Sequence, residues 1–384
     1  MMRDRYPYRL TIIIPTKNRQ QYCIGALNQI LNDTNKDVQI VIQDNSNEPE
    51  IIKTFCEKLY DMRVFYHYND RNLSFVDNFS EAVSFAQGRY VCMIGDDDGI
   101  LPRIMDVLTY SENNDLDCFI PGLNVVYFWP STPPVIKGAE NGYEYISYLN
   151  KEIRDVDVLK SKERLLKRGF QDYQTLDVPR LYHGLVHQRV LERIKEKAGK
   201  YFDGLTPDMF MAVALCYTVK KACAQDYPIT VSGICPQSGS SASATGAHTG
   251  SLKDAPHFNG HVNYKWDNLI PYIYTVETIW AETGLQAVRV FDDKDRDRHI
   301  FDRIYLYSRL WEKYKQFHKE ISAKCKEENL SVAKMRLKAV QIHFSRLFTR
   351  FIKRITRKKT DLEKFYDLTD MSAAATAASD YLSR

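Results

Sequence analysis

The sequence predicts an α/β fold, in which a mostly parallel sheet is flanked by helices and followed by a helical carboxy-terminal extension. Two observations predict it. Between residues 8 and 130, short apolar runs rich in β-branched residues alternate with helical patterns, which is the spacing of βαβ units. Polar residues directly follow several of these runs, and ligands of open α/β sheets bind at the carboxyl ends of strands.

Four strands and three helices are predicted in the first hundred residues. The strands are expected at 10–14, 38–42, 63–68 and 90–94, and the helices at 20–31, 50–60 and 75–86. Pro15 ends the first strand, and Gly88 ends the third helix. Because right-handed crossovers place strand ends on one edge, we expect the loops after Ile14, Ile42 and Ile94 to meet in one crevice.

Beyond residue 103 the pattern is mixed. Helices are expected at 148–168 and 208–223, and a short strand at 229–234. Residues 238–251 are rich in Ser, Gly, Ala and Thr, which indicates either a flexible linker or a loop that closes over a ligand. Residues 262–350 are helical by pattern. Three tryptophans are expected to anchor their core: Trp266, Trp280 and Trp311.

An acidic run, Gly95-Asp96-Asp97-Asp98, follows the strand expected at 90–94. Three neighbouring carboxylates repel one another, so a buried cluster requires a cation or a hydrogen-bonding ligand. Carboxylate oxygens suit Mg²⁺ or Mn²⁺, which usually share their coordination with substrate phosphates. The alternative is an acidic surface turn.

Polar residues also follow the first two strands. At the end of the first strand, Arg19 is placed to meet a phosphate. At the end of the second, Asp44 is placed either to accept hydrogen bonds from a nucleobase or to cap the next helix. The sequence contains neither the glycine pattern of dehydrogenase-type dinucleotide folds nor a Walker A loop.

The distribution of charge and the spacing of the cysteines limit the class of protein to which this chain can belong. Ten of the 53 Lys and Arg residues lie between 331 and 360, where there is no Asp or Glu, so the rest of the chain is net acidic. This argues against a nucleic-acid-binding surface. The eight cysteines form no Cys-x-x-Cys pair, and the first residues are charged without an apolar core. We therefore expect reduced thiols, no zinc site and a cytoplasmic protein.

Taken in order, these motifs resemble the family 2 glycosyltransferases, which have the GT-A fold. The resemblance covers roughly residues 8–130 and rests on the stretches 12–19, 43–46, 72–78, 88–90 and 95–102. It implies a nucleotide-binding set of Pro15, Thr16, Arg19, Asp44, Asn72, Asp96 and Asp97. It implies Mn²⁺ or Mg²⁺ as the cofactor, held by Asp98, Asp96 and His248 from a late loop. Gly95 stands where the family usually has an Asp.

The second half resembles a bacterial branch of the family that builds capsule or lipopolysaccharide glycans. The resemblance rests on the stretches 182–186 and 206–210. It implies that Asp208 is the catalytic base that deprotonates the acceptor hydroxyl. The alternative role for Asp208 is a favourable interaction with the dipole of the helix that it begins.

Residues 337–355 predict an amphipathic helix. Its apolar side comprises Leu337, Val340, Phe344, Leu347, Phe348, Phe351 and Ile355, and its basic side comprises Arg346, Arg350, Lys353, Arg354 and Arg357. Such a helix is typical of anionic membrane interfaces, and we expect residues 331–359 to dock there. The alternative is a helix packed on the enzyme with a solvated basic side. Residues 371–384 are expected to fray.

Together these expectations describe a domain organisation and a function. A GT-A domain spans 1–255, with a nucleotide-binding half at about 8–130 and an acceptor half at 131–255; a helical region at 256–330 and a basic helix with a polar tail at 331–384 follow. The expected function is an inverting, metal-dependent transfer of sugar from a nucleotide-sugar, UDP-linked, to a saccharide or lipid-linked saccharide for bacterial surface polysaccharide. It would act at the inner face of the membrane. The alternatives are a nucleotidyltransferase and a catalytically silent nucleotide-binding or membrane-scaffold subunit.

Overall fold

The computed structural model describes residues 6–133, 139–239, 241, 249–252, 255–258, 264–356 and 363–384, with side chains left out at 349–356. His248 and most of the Ser- and Gly-rich segment lie outside the described residues. So do the side chains of Phe351 and Ile355, two members of the predicted apolar face.

Fifteen strands are found in the described residues. They are β1 Tyr8–Thr16, β2 Val38–Asp44, β3 Val64–Tyr68, β4 Gly88–Met93, β5 Gly99–Ile100, β6 Cys118–Pro121, β7 Val125–Phe128, β8 Tyr143–Ile146, β9 Ile153–Asp155, β10 Leu185–His187, β11 Ala222–Gln225, β12 Thr230–Ile234, β13 Thr249–Gly250, β14 Tyr274–Thr275 and β15 Glu363–Tyr366. The first four agree with the predicted strands to within two residues at each end.

Thirteen α-helices accompany them in the same part of the chain. They are α1 Gln20–Asp33, α2 Glu50–Leu59, α3 Phe75–Ser84, α4 Ile104–Asn113, α5 Val158–Lys167, α6 Gln188–Ala198, α7 Pro207–Thr218, α8 Val276–Phe291, α9 Asp297–Ile300, α10 Arg303–Lys313, α11 His318–Glu327, α12 Val332–Thr356 and α13 Met371–Leu382. Among the described residues, no helix is both long enough and apolar enough to span a membrane.

The main sheet has eight strands in the order β3-β2-β1-β4-β10-β6-β11-β9. Strands β1 to β4 pair in parallel, with Ile12 opposite both Ile40 and Cys92. Alternate residues of β1 enter different cores: Ile13 packs on one side, and Ile12 and Ile14 pack on the other. Burial on both faces explains why these strands are continuous apolar runs. The predicted α/β class and mostly parallel sheet are confirmed.

Two predicted helices are too long. The helix expected at 148–168 begins only at Val158, where the Asp157 side chain caps it by accepting the Lys160 N–H. The residues before it form β9, a three-residue edge strand. The helix expected at 208–223 ends at Thr218, and the chain continues as β11 in the main sheet.

The predicted tryptophan anchors lie at the margin of the core. Trp266, Trp280 and Trp311 are partly buried against the large apolar cluster. The fourth tryptophan, Trp129, is buried, and its indole N–H donates to the backbone carbonyl of Asp97 at 2.8 Å. An indole is buried where its N–H finds a partner.

The carboxy-terminal tail does not fray, so that prediction is wrong. A second sheet has the order β15-β8-β7-β12-β5, so β15 pairs with a strand of the amino-terminal region. After it, α13 buries Met371, Ala374 and Ala378 in the same layer. The segment predicted as one unit at 331–384 is therefore divided, and residues 363–384 belong to the sheet-containing domain.

Helix α12 packs through a side that the sequence did not single out. Met335, Ala339 and Ile342 are buried, and the Ser308 hydroxyl of α10 donates to the Met335 carbonyl. The predicted apolar side faces outward instead, with Phe344 and Phe348 64% and 65% exposed. The alternative in which this side packs on the enzyme is therefore wrong.

Candidate active site

The loops after β1, β2 and β3 converge at one edge of the main sheet. Lys17 Nζ donates to Asn45 Oδ1 at 2.9 Å and to Asn72 Oδ1 at 3.0 Å. The Asn18 N–H donates to Ser46 Oγ at 2.8 Å. These contacts join three strand ends, with Asn72 among them, and the Thr16 hydroxyl adds the loop after Ile94 by donating to Asp96, so the loops that were predicted to meet do so. Lys17, which the sequence did not single out, is the cation that links the three loops.

Arg19 connects the first loop to the acidic run after β4. Its guanidinium donates to Asp96, with Nε 3.1 Å from Oδ2, and Nη1 lies 3.5 Å from Asp97 Oδ2. The Thr16 hydroxyl also donates to Asp96 Oδ2, at 2.6 Å. The two carboxylates raise the pKa of Arg19 against the effect of its burial. Arg19 is therefore a fixed positive charge at the centre of the crevice.

Asp98 is engaged by groups of the protein itself. Its Oδ2 accepts the Gly95 N–H at 2.6 Å and the Tyr182 hydroxyl at 2.8 Å. Its Oδ1 accepts the Gly233 N–H at 2.7 Å. A fourth neighbour is His183, whose Nε2 lies 3.3 Å from Oδ2, and burial lowers the pKa of this imidazole to about 3. Both oxygens of Asp98 thus already accept hydrogen bonds from the protein, and these fix its position in the loop.

Asp97 is held by the protein through one oxygen, Oδ2, whereas both oxygens of Asp96 lie against the Arg19 guanidinium. The Asp97 Oδ2 accepts the Cys235 N–H at 3.1 Å, whereas no described residue donates to Oδ1. Burial raises the pKa of all three carboxyls, that of Asp96 to about 7, although Arg19 opposes the shift. Burying three carboxylates beside one guanidinium leaves uncompensated negative charge.

This charge and the available oxygen fit a divalent cation held through Asp97. Within the described part of the chain, no group of three or more His, Cys, Asp or Glu side chains is arranged to hold a metal ion. The protein would supply few ligands, and substrate phosphates would supply the others, as is usual for Mg²⁺. The geometry favours Asp97 over Asp98, and the metal role predicted for Asp98 and Asp96 stays a prediction.

Gly95, which replaces a usual Asp, has a steric explanation. A Cβ at this position would lie 2.6 Å from the Tyr182 hydroxyl and 3.0 Å from carboxylate oxygens of Asp97 and Asp98. Only glycine leaves room for the hydrogen bond between Tyr182 and Asp98. The glycine and the tyrosine are therefore a matched pair.

Asp44 is fully buried at the end of β2, opposite Thr16 of β1, while Pro15 lies opposite Gln43. Its Oδ1 accepts the Ser46 N–H at 2.8 Å, and its Oδ2 accepts the Tyr66 hydroxyl at 2.9 Å. The helix α2 starts only at Glu50, with Pro49 as its N-cap. The alternative of Asp44 as a helix cap is therefore wrong, while its role in nucleotide binding stays a prediction.

Asp208 lies in the first turn of α7, after Pro207. It accepts the Tyr173 hydroxyl at 3.0 Å, and burial raises its pKa. It lines a small pocket together with Phe79, Met93, Leu181, Tyr182, Phe202, Pro207 and Met211. Because Tyr182 also bonds Asp98, this pocket joins the predicted base to the acidic run. Tyr173, the partner of Asp208, carries no sequence signal that distinguishes it from a core tyrosine.

Comparison with known proteins identifies the amino-terminal region. Residues 11–141 match the model of glycosyl transferase family 2. This part of the chain is therefore similar to the glycosyl transferase family 2 domain, as its motifs predict. Together with the mixed α/β sheet, the match confirms the predicted GT-A fold class.

Three relatives match parts of the chain. An uncharacterized glycosyltransferase of Methanocaldococcus jannaschii is 32% identical over 135 residues, 33% of this chain and 45% of its own. An Escherichia coli protein named as a colanic acid biosynthesis glycosyl transferase is 33% identical over 99 residues, 26% of this chain and 36% of its own. The abequosyltransferase of Salmonella typhimurium is 30% identical over 116 residues, which are 29% of this chain and 34% of its own. The chain therefore spans less than half the length of these relatives.

Solved structures also show similarity. The S. aureus TarS 1–349 complex with UDP-GlcNAc has a TM-score of 0.47 and 11% identity, covering 88% of this chain and 92% of that chain. The UDP complex of the same protein has a TM-score of 0.44 and 11% identity, covering 91% and 93%.

Proposed function

We propose that this protein is an inverting, metal-dependent glycosyltransferase that moves a sugar from a UDP-linked donor to a glycan acceptor. The observation that carries the proposal is the crevice of the family 2 domain. There, Arg19 and the acidic run meet at the carboxyl end of β4, and Tyr182 connects them to the pocket of Asp208. One side chain, Tyr182, thus links the proposed donor groups to the candidate base.

The donor side suits a nucleoside diphosphate. Lys17 and Arg19 are cations held in the crevice by side chains of neighbouring loops, and cations of this kind bind phosphate oxygens through charge-assisted hydrogen bonds. Asn78 adds a buried amide oxygen, Oδ1, that has no hydrogen-bond partner among the residues that the structure describes. Its amide nitrogen lies 3.4 Å from the Thr16 carbonyl. A buried unsatisfied acceptor of this kind favours a ligand that donates, such as a ribose hydroxyl or a base N–H.

When bound, Mn²⁺ or Mg²⁺ would neutralise charge on the departing diphosphate. Asp97 is the residue best placed to hold the ion, because its Oδ1 is available. Arg19 fixes the Asp96 and Asp97 carboxylates, and Asp98 anchors the loop through its backbone partners. Asp97 therefore keeps one oxygen available for the ion, whereas the protein contacts both oxygens of Asp96 and of Asp98.

The acceptor side supplies the base. Asp208 would take the proton from the acceptor hydroxyl as its oxygen attacks the anomeric carbon in line with the departing diphosphate. The raised pKa of its buried carboxyl makes it a stronger base than an exposed Asp. Tyr173 donates to one of its oxygens and fixes its orientation. The apolar side chains around the pocket limit the access of water, which would otherwise compete as acceptor.

For the acceptor itself we propose a saccharide of a bacterial surface polysaccharide, free or lipid-linked. The support is the name of the E. coli relative, which refers to colanic acid biosynthesis, and the sugar transfer named for the Salmonella relative. A lipid-linked acceptor would require the enzyme to act at the inner face of the membrane, as a cytoplasmic, peripheral protein.

Helix α12 supports such docking. Five apolar side chains on its outward side are 44–65% exposed: Leu337, Val340, Phe344, Leu347 and Phe348. They lie in a segment with ten basic residues and no acidic ones. Arg346 is not free, because it pairs with Glu312 at 3.0 Å. An exposed apolar stripe in a basic segment suits an anionic lipid surface.

Turnover of nucleotide-sugars tests the proposal. We expect the full chain to hydrolyse or transfer sugar from a UDP-linked donor in a panel of nucleotide-sugars, with Mn²⁺ or Mg²⁺ present and not with a chelator. Asp97→Asn should lose this activity. A protein that binds no nucleotide would instead be a silent scaffold, and one that forms a nucleotide-sugar from a sugar phosphate would be a nucleotidyltransferase.

A further inference from the structure

The last 22 residues of the chain, 363–384, form a strap across the donor-binding domain. Strand β15 pairs antiparallel with β8 at the edge of the second sheet. Helix α13 then packs against α1, β5, β7 and β12. Two of these elements carry the candidate site, since α1 begins directly after Arg19 and β5 begins directly after Asp98.

Met371 of the strap lies against Gly99, the residue directly after the acidic loop, residues 95–98. It is fully buried, and a Cβ placed on Gly99 would lie 2.4 Å from its sulfur and 2.8 Å from its Cγ. The methionine therefore lies directly on the backbone of the residue that follows Asp98. Here only glycine lets helix α13 approach the loop so closely.

Small residues bring the rest of α13 close to its neighbours. Ala374, Ala375 and Ala378 are buried in the same cluster as Tyr22 of α1. Helix α1 is in turn tied to β5, because the Gln29 side chain accepts the Ile100 N–H and donates to the Ile100 carbonyl, both at 2.9 Å. The strap, α1 and β5 thus form one packed layer beneath the acidic loop.

Hydrogen bonds fix both ends of helix α13. The Tyr127 hydroxyl of β7 donates to the Leu368 carbonyl at 2.8 Å, just before α13. The Asp370 side chain caps the start of the helix by accepting the Ala373 N–H. The Tyr227 hydroxyl donates to the Leu382 carbonyl at 2.8 Å, at the end of the helix.

The acidic loop depends on this layer for its other contacts. Trp129 donates to the Asp97 carbonyl, and the N–H groups of Gly233 and Cys235 bind Asp98 and Asp97. Trp129 and Cys235 belong to the apolar cluster that the strap completes. Loosening the strap would therefore loosen the groups that hold the carboxylates.

We propose that the strap positions the acidic loop for binding of the nucleoside diphosphate donor, an inference that rests on the proposed function. Met371 is then a positioning residue for the donor site, although it lies far along the chain and would touch no donor atom. Misplacement of a carboxylate by a fraction of an ångström is enough to weaken binding and catalysis.

The test compares two buried methionines in the full chain. Met371→Ala should speed hydrogen exchange of the amides of residues 95–100 and weaken UDP binding about tenfold. Met335→Ala is the matched control, since Met335 is equally buried but packs in the core beside α10. It should lower the melting temperature comparably while leaving loop exchange and the Kd for UDP unchanged. If Met371→Ala does not fold, Tyr127→Phe removes one fixing hydrogen bond without a cavity and should act in the same direction.

The proposal would be overturned if the loop amides exchanged at the same rate in Met371→Ala as in Met335→Ala. If Tyr127→Phe is used in place of Met371→Ala, the same comparison with Met335→Ala decides. If the unaltered protein binds no UDP, the proposed donor is wrong, and the exchange comparison still decides whether the strap holds the loop.

Discussion

Asp208 and Asp203 lie five residues apart and have opposite electrostatic environments. Burial raises the pKa of Asp208, and its side-chain donor is a neutral tyrosine hydroxyl. Asp203 is half-buried, and Lys200 together with the Gly204 N–H lowers its pKa. A general base is most useful with a pKa near the working pH. This contrast supports Asp208 as the proposed base and leaves Asp203 as a stable anion.

Substituting each aspartate in turn should show which of the two acts as the base. Asp208→Asn should lower turnover by about 10²–10⁴-fold, with UDP affinity nearly unchanged, because the base acts on the acceptor. Steady-state transfer assays and calorimetry measure the two quantities. Asp203→Asn is the matched control and should retain most activity. Normal transfer by Asp208→Asn would place the base elsewhere.

The same assignment predicts a pH dependence. Asp208 works as the carboxylate, so kcat/KM should fall as the pH drops through its raised pKa. Tyr173 donates to this carboxylate and favours its charged form. In Tyr173→Phe the acid limb of the profile should therefore move to higher pH. An acid limb at the same pH would argue that the titrating group is not Asp208.

At the scale of elements, both faces of α12 are now assigned. The side with Met335, Ala339 and Ile342 packs on the enzyme, whereas Phe344 and Phe348 point outward. Large exposed apolar stripes on a helix usually mark an interaction surface. Deleting 331–384 would not test this, because it would also remove β15 and α13 from the donor-binding domain.

Point substitutions isolate the outward side of α12. Phe344→Gln with Phe348→Gln should reduce co-sedimentation with anionic vesicles about tenfold or more, because each inserted Phe contributes about 1.5–3 kcal/mol. Melting temperature and UDP affinity should stay unchanged. The control is Met62→Gln, which changes an apolar side chain outside α12 that is 91% exposed, and this variant should bind vesicles normally. Vesicle binding by the double variant at the level of the unaltered protein would rule out α12 as the anchor.

For the whole molecule, strands and crevice were predictable where burial leaves a clear pattern. Runs such as 10–14 and 38–42 are mostly apolar because both faces of the sheet are covered. The different contacts of Asp96, Asp97 and Asp98 were not predictable. They depend on Gly233 and Cys235, which reach Asp98 and Asp97 from distant strand β12 and its end.

The strap was missed for a related reason. A segment rich in Ala and Ser has no amphipathic pattern that distinguishes a packed helix from a fraying one. Its order depends on Gly99 and on the hydroxyls of Tyr127 and Tyr227, which are distant in sequence. Sequence pattern therefore predicts elements that bury large side chains better than elements that pack through small ones.

The most direct measurement is calorimetric titration of the full chain with UDP, because every step of the proposed transfer begins with the nucleotide in the crevice. We predict saturable binding at one site, with Asp44→Ala weaker by about 1–3 kcal/mol, the usual cost of leaving a buried partner unpaired. Protection from hydrogen exchange should appear in the loops after β1, β2 and β4. Absence of heat and of protection with UDP would contradict the account.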